Sequence, residues 1–444
     1  MATIYGTSGN NTLNGTSVGD SILGYGGADS INGFAGNDTV RGGVGSDTIY
    51  GGTGTDYLYG DDGNDFIIAS TGWNQTDTVN YIYGGSGLDT VWGSASVDYV
   101  FSGNSRDIVY AGNGNDYVSA GDGDDFVRGW NGNDRIFGGR GNDSLEGSAG
   151  ADTIQGQTGA DTIKGGTGND SLSGNDGNDS ILGEAGNDRL FGGKGIDTLR
   201  GGNDSDYLKG DTGNDYLYGD AGRDTLYGND GDDFIYTSTS AGATDTTINY
   251  AYGGKGIDRL YGSSNTDYLY GNSGADYLYG YAGNDYLSGS SGNDYLRGYA
   301  GNDSVFGGSG NDTLYGEAGV DRLYGGSGAD FISGGNDTDL IFGDADNDRL
   351  YGGAGNDYFY FYGSAGDDTI FDFEGAGIAG GDYIALDDTG TGIATTAAAV
   401  AATTYAFIDA DATYDAVINT SGGNSITVLD IGYNALSAGD FIIV

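Results

Sequence analysis

Large apolar residues recur at every ninth position through most of this chain, and an aspartate stands two residues before each of them. Three runs keep the step: Asp20 to Asp65, Asp89 to Asp233 and Asp258 to Asp357, with six, seventeen and twelve members. The residue two places on is always Ile, Val, Leu or Phe, from Ile22 through Leu145 and Leu217 to Phe359. Each unit reads Gly-Gly-x-Gly-x-Asp-x-U-x, where U is that apolar residue. The glycine-rich hexad reads as a loop, because glycine accepts left-handed backbone angles and weakens helices. The triad x-U-x reads as a three-residue strand with U on one side and its neighbours on the other. So short a strand pairs only if the chain coils. Two units then make one full turn, each strand lies on the strand two units earlier, and every U enters a shared core. A disordered Gly/Asp-rich tail would have no reason to keep U apolar at every ninth place.

Coiling stacks the loops in two columns and brings each aspartate near its counterpart one turn away. Carboxylates spaced roughly 4.8 Å apart repel one another and call for a cation between them. Asp carboxylates and exposed loop carbonyls are hard oxygen donors, which favour Ca²⁺ over Zn²⁺ or copper, and Mg²⁺ resists an all-protein cage.

These units resemble the nonapeptide repeats of RTX (repeats-in-toxin) proteins over roughly residues 2 to 371. The resemblance implies an all-β fold, a parallel β-roll or β-solenoid with calcium loop columns on both sides and a small C-terminal β-rich cap. It also implies Ca²⁺ between successive loops, bridged by the sixth-position aspartate and completed by loop carbonyls. On this sequence that position falls, in the first run, on Asp29, Asp38, Asp47, Asp56 and Asp65. In the second it falls on Asp89, Asp116, Asp125, Asp134, Asp143, Asp152, Asp161, Asp170, Asp179, Asp188, Asp197, Asp215, Asp224 and Asp233. In the third it falls on Asp258, Asp276, Asp285, Asp294, Asp303, Asp312, Asp321, Asp330 and Asp357, with Asp368 beyond.

The charge limits how many ions the chain takes. With 16 Lys+Arg against 65 Asp+Glu the formal charge is −49, which about 25 divalent ions would neutralise, so some loops are expected to be empty. The candidates end at Asp98, Asp107, Asp206, Asp267, Asp339 and Asp348, where Ser96, Ser105, Asp204, Asn265, Asp337 and Asp346 replace glycine. At Asp204, Asp337 and Asp346 the extra carboxylate offers a ligand instead. The same charge makes nucleic acid and anionic membranes poor partners. It also predicts an expanded apo chain that folds when cation arrives. The 93 glycines and absence of Pro suit a solenoid rather than a compact globule. There is no Cys, hence no disulfide, and no His, which excludes imidazole triads and HExxH zinc sites. The carboxylates are better used as calcium ligands than as a glycosidase pair, and the chain is expected not to be an enzyme.

The roll is expected over 1–371. Ile4 and Leu13 hold the register at its start, Asn11 replaces an aspartate, and no capping domain is expected before a bare first coil. Two turns carry enlarged loops, near 66–88 and 234–257, with Asp77 and Asp245 as off-pattern members. The two insertions match in sequence and are expected on the same side of a rod of about 19 coils, roughly 90 Å long. Among 36 tyrosines, outward residues such as Tyr268, Tyr286, Tyr270 and Tyr261 are expected to form ladders. They serve either as cross-strand stacking or as a contact surface for glycan or another copy.

Residues 372–444 break the repeat. Strands are expected at Gly381–Leu386, Asp415–Asn419 and Ser425–Leu429, and a short helix at Thr395–Ala402. The terminus Leu436-Ser-Ala-Gly-Asp-Phe-Ile-Ile-Val is similar to the C-terminal domains of RTX proteins exported by type I secretion. No ordinary signal peptide and no membrane span is read. These readings together describe a secreted extracellular or cell-surface structural protein that meets the type I machinery during export. It then assembles with itself, or with extracellular polysaccharide, as a surface layer, matrix or filament. The alternative is a secreted adhesin or glycan binder using the tyrosine ladders. Regular Thr rows for an ice-binding surface are not kept.

Overall fold

A computed structural model describes residues 2–70, 79–239, 242, 247–362, 365–374, 381–386, 403–406, 415–419, 424–429, 436 and 440–443. The chain divides into two compact units, Met1–Leu217 and Tyr218–Val444. Each is a parallel β-solenoid, and no helix occurs among the described residues.

In the first unit, strands alternate between two sheets as the chain coils. Ile136 pairs with Ile154 and Leu145 with Ile163, so each strand lies on the one two repeats away. The second unit does the same, with Leu296 on Leu314 and Val305 on Leu323. Every U side chain from Ile22 to Phe359 is at most 1% exposed. A fully buried Leu or Ile contributes about 1.5–3 kcal/mol, so the two U residues of a turn add about 3–6 kcal/mol to its coil.

The strands are longer than the triad x-U-x implies. Ser171–Asp176 and Tyr295–Ala300 have six residues, with the U residue and the following glycine both turned inward. The reason is that the loop residues are stacked too. Gly139 pairs with Gln157 and Arg140 with Thr158, continuing the ladder through the glycine-rich segment. A repeated coil lets the turn backbone hydrogen-bond to its own copy above and below.

Each unit has an enlarged turn within its run of repeats. Tyr57 pairs with Tyr81 and Phe66 with Thr90, and in the second unit Thr225 pairs with Tyr250 and Phe234 with Arg259, each a longer step than two repeats. In both, the extra residues fall between a strand of the second sheet, Phe66–Ile68 or Phe234–Tyr236, and one of the first, Val79–Ser86 or Asn249–Lys255. Asp77 and Asp245, expected as off-pattern members here, lie outside the described residues.

Parallel pairing continues beyond residue 371. Tyr383–Leu386 lies on Tyr358–Phe361 and is itself covered by Phe441–Ile443. Ser425–Val428 lies on Asp368–Ile370 and turns back through two antiparallel strands, Asp415–Asn419 and Thr403–Ala406. The expected strands are therefore present, and the helix expected at Thr395–Ala402 lies outside the described residues.

Candidate metal centre

The sixth residue of each unit sits where the chain leaves its loop and enters a strand, which fixes the side chain against the neighbouring turn. All 29 predicted aspartates are 0–3% exposed. Within each unit they form two columns. In one column of the first unit the Asp116 N–H donates to Asp134 Oδ1 at 2.8 Å and Asp134 N–H to Asp152 Oδ1 at 2.7 Å. In the other, Asp125 N–H donates to Asp143 Oδ1 and Asp143 N–H to Asp161 Oδ1, both at 2.8 Å. The second unit shows the same bonds between Asp285 and Asp303 and between Asp294 and Asp312. One carboxylate oxygen is thus tied to the fold.

The other oxygen is not. The Oδ2 atoms of Asp47, Asp65, Asp143, Asp179, Asp294 and Asp321 are buried with no hydrogen-bond partner. A buried carboxylate oxygen left this way is costly unless a cation meets it. Oδ2 points at the first glycine of its own loop. A Cβ placed on Gly42 would strike Asp47 Oδ2 and come within 2.8 Å of the Gly60 carbonyl oxygen one turn on, and Gly138 is placed alike against Asp143 and Gly156. A carboxylate oxygen and a backbone carbonyl therefore converge on one spot, and only glycine leaves it open. Among the described residues no three acidic side chains gather around one point, so a bound ion draws much of its shell from carbonyls. This all-oxygen set fits calcium.

Burial pushes Asp47 up to about 6, Asp65 and Asp143 to about 7, Asp258 to about 8 and Asp116 to about 9. The N–H bond from the preceding aspartate pulls the other way, and neighbouring carboxylates such as Asp98 beside Asp116 add to the rise. Without a cation the folded columns resist holding their charge.

The structure divides the six loops expected to be empty. Those before Asp107, Asp206, Asp339 and Asp348 keep the glycine-like backbone, with Ser105, Asp204, Asp337 and Asp346 at positive φ of 74–83°. Asp107, Asp339 and Asp348 also keep an unpartnered Oδ2, as in the regular loops. For these loops the loss of glycine alone does not change the site, because the rest of the ladder holds the loop in shape. The loops before Asp98 and Asp267 differ, with no residue at positive φ.

Three column members, Asn80, Asn249 and Asp382, were not singled out from the sequence, and Asp20 joins the column as the head of the first run. Asn80 and Asn249 take the aspartate position in the enlarged turns, accepting from Asp56 N–H at 3.2 Å and Asp224 N–H at 2.8 Å. Asp20 donates its N–H to Asp38 Oδ1 at 2.7 Å. Asp382 accepts from Asp357 N–H at 3.0 Å, 25 residues on. The signal in each case is a polar residue two places before a buried apolar one: Ile82, Ala251, Ile22 and Ile384.

The tyrosine ladders are present, with one change of membership. Tyr250, Tyr268 and Tyr286 stack in series at 4.9 and 6.0 Å, and Tyr252 stacks on Tyr270 at 4.9 Å. Tyr261 belongs to the opposite sheet, between Tyr236 and Tyr279 at 4.7 and 5.2 Å, because a single repeat is half a turn.

A profile of the RTX calcium-binding nonapeptide repeat matches in overlapping copies over residues 5–67, 75–235 and 244–376. The chain belongs to the RTX calcium-binding repeat family. No curated protein matches it. Among solved structures, an extracellular lipase from Serratia marcescens aligns at 18% identity over 67% of this chain and 40% of the lipase, with a TM-score of 0.13. At that score the alignment carries no argument about fold or activity. Among the described residues no helix is long and apolar enough to cross a membrane.

Proposed function

We propose that this RTX protein is a secreted, calcium-dependent structural protein without enzymatic activity. The observation that carries this reading is the columns of buried aspartates whose second oxygen has no protein partner. Calcium supplies the missing charge, so binding energy becomes folding energy. A chain of this kind stays unfolded in calcium-poor cytoplasm and folds after export. Residues 372–444 act as the type I secretion domain and as a cap on the roll of residues 1–371. Outside the cell the rolls associate with one another, with polysaccharide as a further partner, in a surface layer, matrix or filament. Electron microscopy and light scattering of the full chain in millimolar calcium and in chelator test this. Assemblies present with calcium and absent without it are expected, and a monomer under both conditions overturns the assembly reading.

The tyrosine ladders favour a second reading, a glycan-binding adhesin. Tyr57 is 40% and Tyr277 37% exposed, enough ring surface to meet a sugar. Glycan binding abolished by Tyr→Ala changes on one face, with assembly intact, would select it.

A further inference from the structure

Three loops in the calcium ladder are built differently from the regular ones. In a regular loop such as 138–143, Gly139 and Gly141 lie at φ of 122° and 124° and Asp143 Oδ2 has no partner. In the loop Gly93-Ser94-Ala95-Ser96-Val97-Asp98 no residue has a positive φ, and the Ser94 N–H turns inward to donate to Asp98 Oδ2 at 2.6 Å. The Asn80 amide, one turn earlier, donates to Asp98 Oδ1 at 2.8 Å. Both oxygens of this carboxylate are met by protein donors. In the second unit the loop Gly262-Ser263-Ser264-Asn265-Thr266-Asp267 closes on its carboxylate in the same way. It too lacks positive φ, and Asp267 Oδ2 accepts from Ser263 N–H at 2.6 Å and from its hydroxyl at 3.0 Å. Asp20 follows suit, with Thr16 N–H and hydroxyl both at 2.7 Å.

Serine at the second loop position is not enough to do this. Ser290 sits there in the loop before Asp294, yet takes φ 78° with Gly292 at 135°, and Asp294 Oδ2 is left open. Among the loops that end in an aspartate, the fourth position separates the two kinds, whereas the loop ending at Asn11 closes through Thr7 N–H at 2.6 Å with Gly9 in that place. Ser96, Asn265 and Val18 stand where Gly292 does. With no glycine at the fourth position and a hydroxyl residue at the second, the loop forgoes its left-handed steps and closes on its own carboxylate. This same hydrogen-bonded turn is favoured by Ser and Thr elsewhere.

We infer that the loops ending at Asp20, Asp98 and Asp267 take no calcium: backbone and hydroxyl donors occupy the carboxylate oxygen that faces the ion in the other loops. Two of them, at Asp98 and Asp267, come one turn after the enlarged turns, next to Asn80 and Asn249, whose neutral amides also bring no charge. The ion ladder of each unit is therefore interrupted beside its insertion, and these rungs keep their partners whether or not calcium is present. The inference rests on the calcium reading above and concerns which loops use the ion.

The test is a count of bound calcium per full-length chain, by elemental analysis after loading and desalting. Asp98→Asn and Asp267→Asn are expected to bind as many ions as the unsubstituted protein, whereas Asp143→Asn and Asp294→Asn lose about one or two, since a bridging carboxylate serves ions on both sides. The double change Ser94→Gly with Ser96→Gly restores the regular loop and is expected to add about one ion. Loss of calcium in Asp98→Asn equal to that in Asp143→Asn, or no gain in the double variant, overturns the inference. An unsubstituted chain that binds no calcium overturns the calcium reading and this inference with it.

Discussion

The regular coils of the second unit and its last coils solve one problem in two ways. In the coils around Asp294 and Asp312 an apolar U residue fills the core, and the carboxylate oxygen beside the loop glycine has no protein partner. In the last coils the core is filled equally well by Ile384, Leu386 and Phe441. There, however, Asp382 Oδ2 accepts from Glu374 N–H at 2.8 Å, and Asp372 takes the N–H groups of Gly352 and Gly353, both at 2.9 Å. The apolar ladder therefore does not need the nonapeptide. The nonapeptide is needed where the turn must be closed in very few residues and a cation completes it.

Removing calcium should break this contrast most severely. Excess chelator at neutral pH is expected to abolish most of the sheet signal in circular dichroism, and an unchanged spectrum and melting point would refute the role given to the ion.

Acid should partly restore what chelator removes. Free aspartate titrates near about 3.9, whereas burial lifts Asp312 to about 6, Asp294 to about 7 and Asp258 to about 8. A carboxyl raised in the folded state favours folding fully below the unfolded value, and that contribution is lost as pH rises through the folded one. The metal-free chain is therefore expected to hold more sheet at pH 4 than at pH 8. The calcium-loaded chain should show the reverse dependence, because protons compete for the ligands. Equal spectra of the metal-free chain at both pH values would count against the buried charge.

Within the calcium-loaded roll, Leu314→Ala is expected to cost about 2–5 kcal/mol, because it lies between Leu296 and Ile332 with further regular coils beyond each. Ile384→Ala, near the end of the stack, should lower the melting temperature less. A comparable drop would mean that the last coils are as tightly coupled as the middle ones.

Gly310→Ala should cost about 1–3 kcal/mol. Its φ is 130°, and a Cβ there would collide with the Gly292 carbonyl. Gly9→Ala, where a Cβ would meet nothing within 4 Å, serves as the control and should leave the melting point in place.

The smallest effect is expected from the ladders. Tyr324, between Phe306 at 4.7 Å and Phe342 at 4.4 Å, should give about 0.5–1.5 kcal/mol on change to Ala. A loss of glycan binding with no thermal effect would instead point to a recognition surface.

The repeat made the coil legible before any coordinates. A period of nine with an apolar residue two after each aspartate gives strand, core and the pairing of each strand with the one two repeats away, because each of these is a local or strictly periodic property. Leu145 on Ile163 and the buried Asp143 follow from counting alone. Where the period breaks, counting loses its reference, and only the strand pairing shows that Asn80 and Asn249 carry the column. Only the folded chain decided that the glycine-rich segments join the ladder, that Ser105 and Asp346 are forced into glycine's conformation while Ser94 and Ser263 escape it, and which carboxylate oxygens are left without a donor. Those outcomes depend on what the turn above and the turn below require of a loop, and such a balance between local preference and stacked neighbours is absent from any single repeat taken alone.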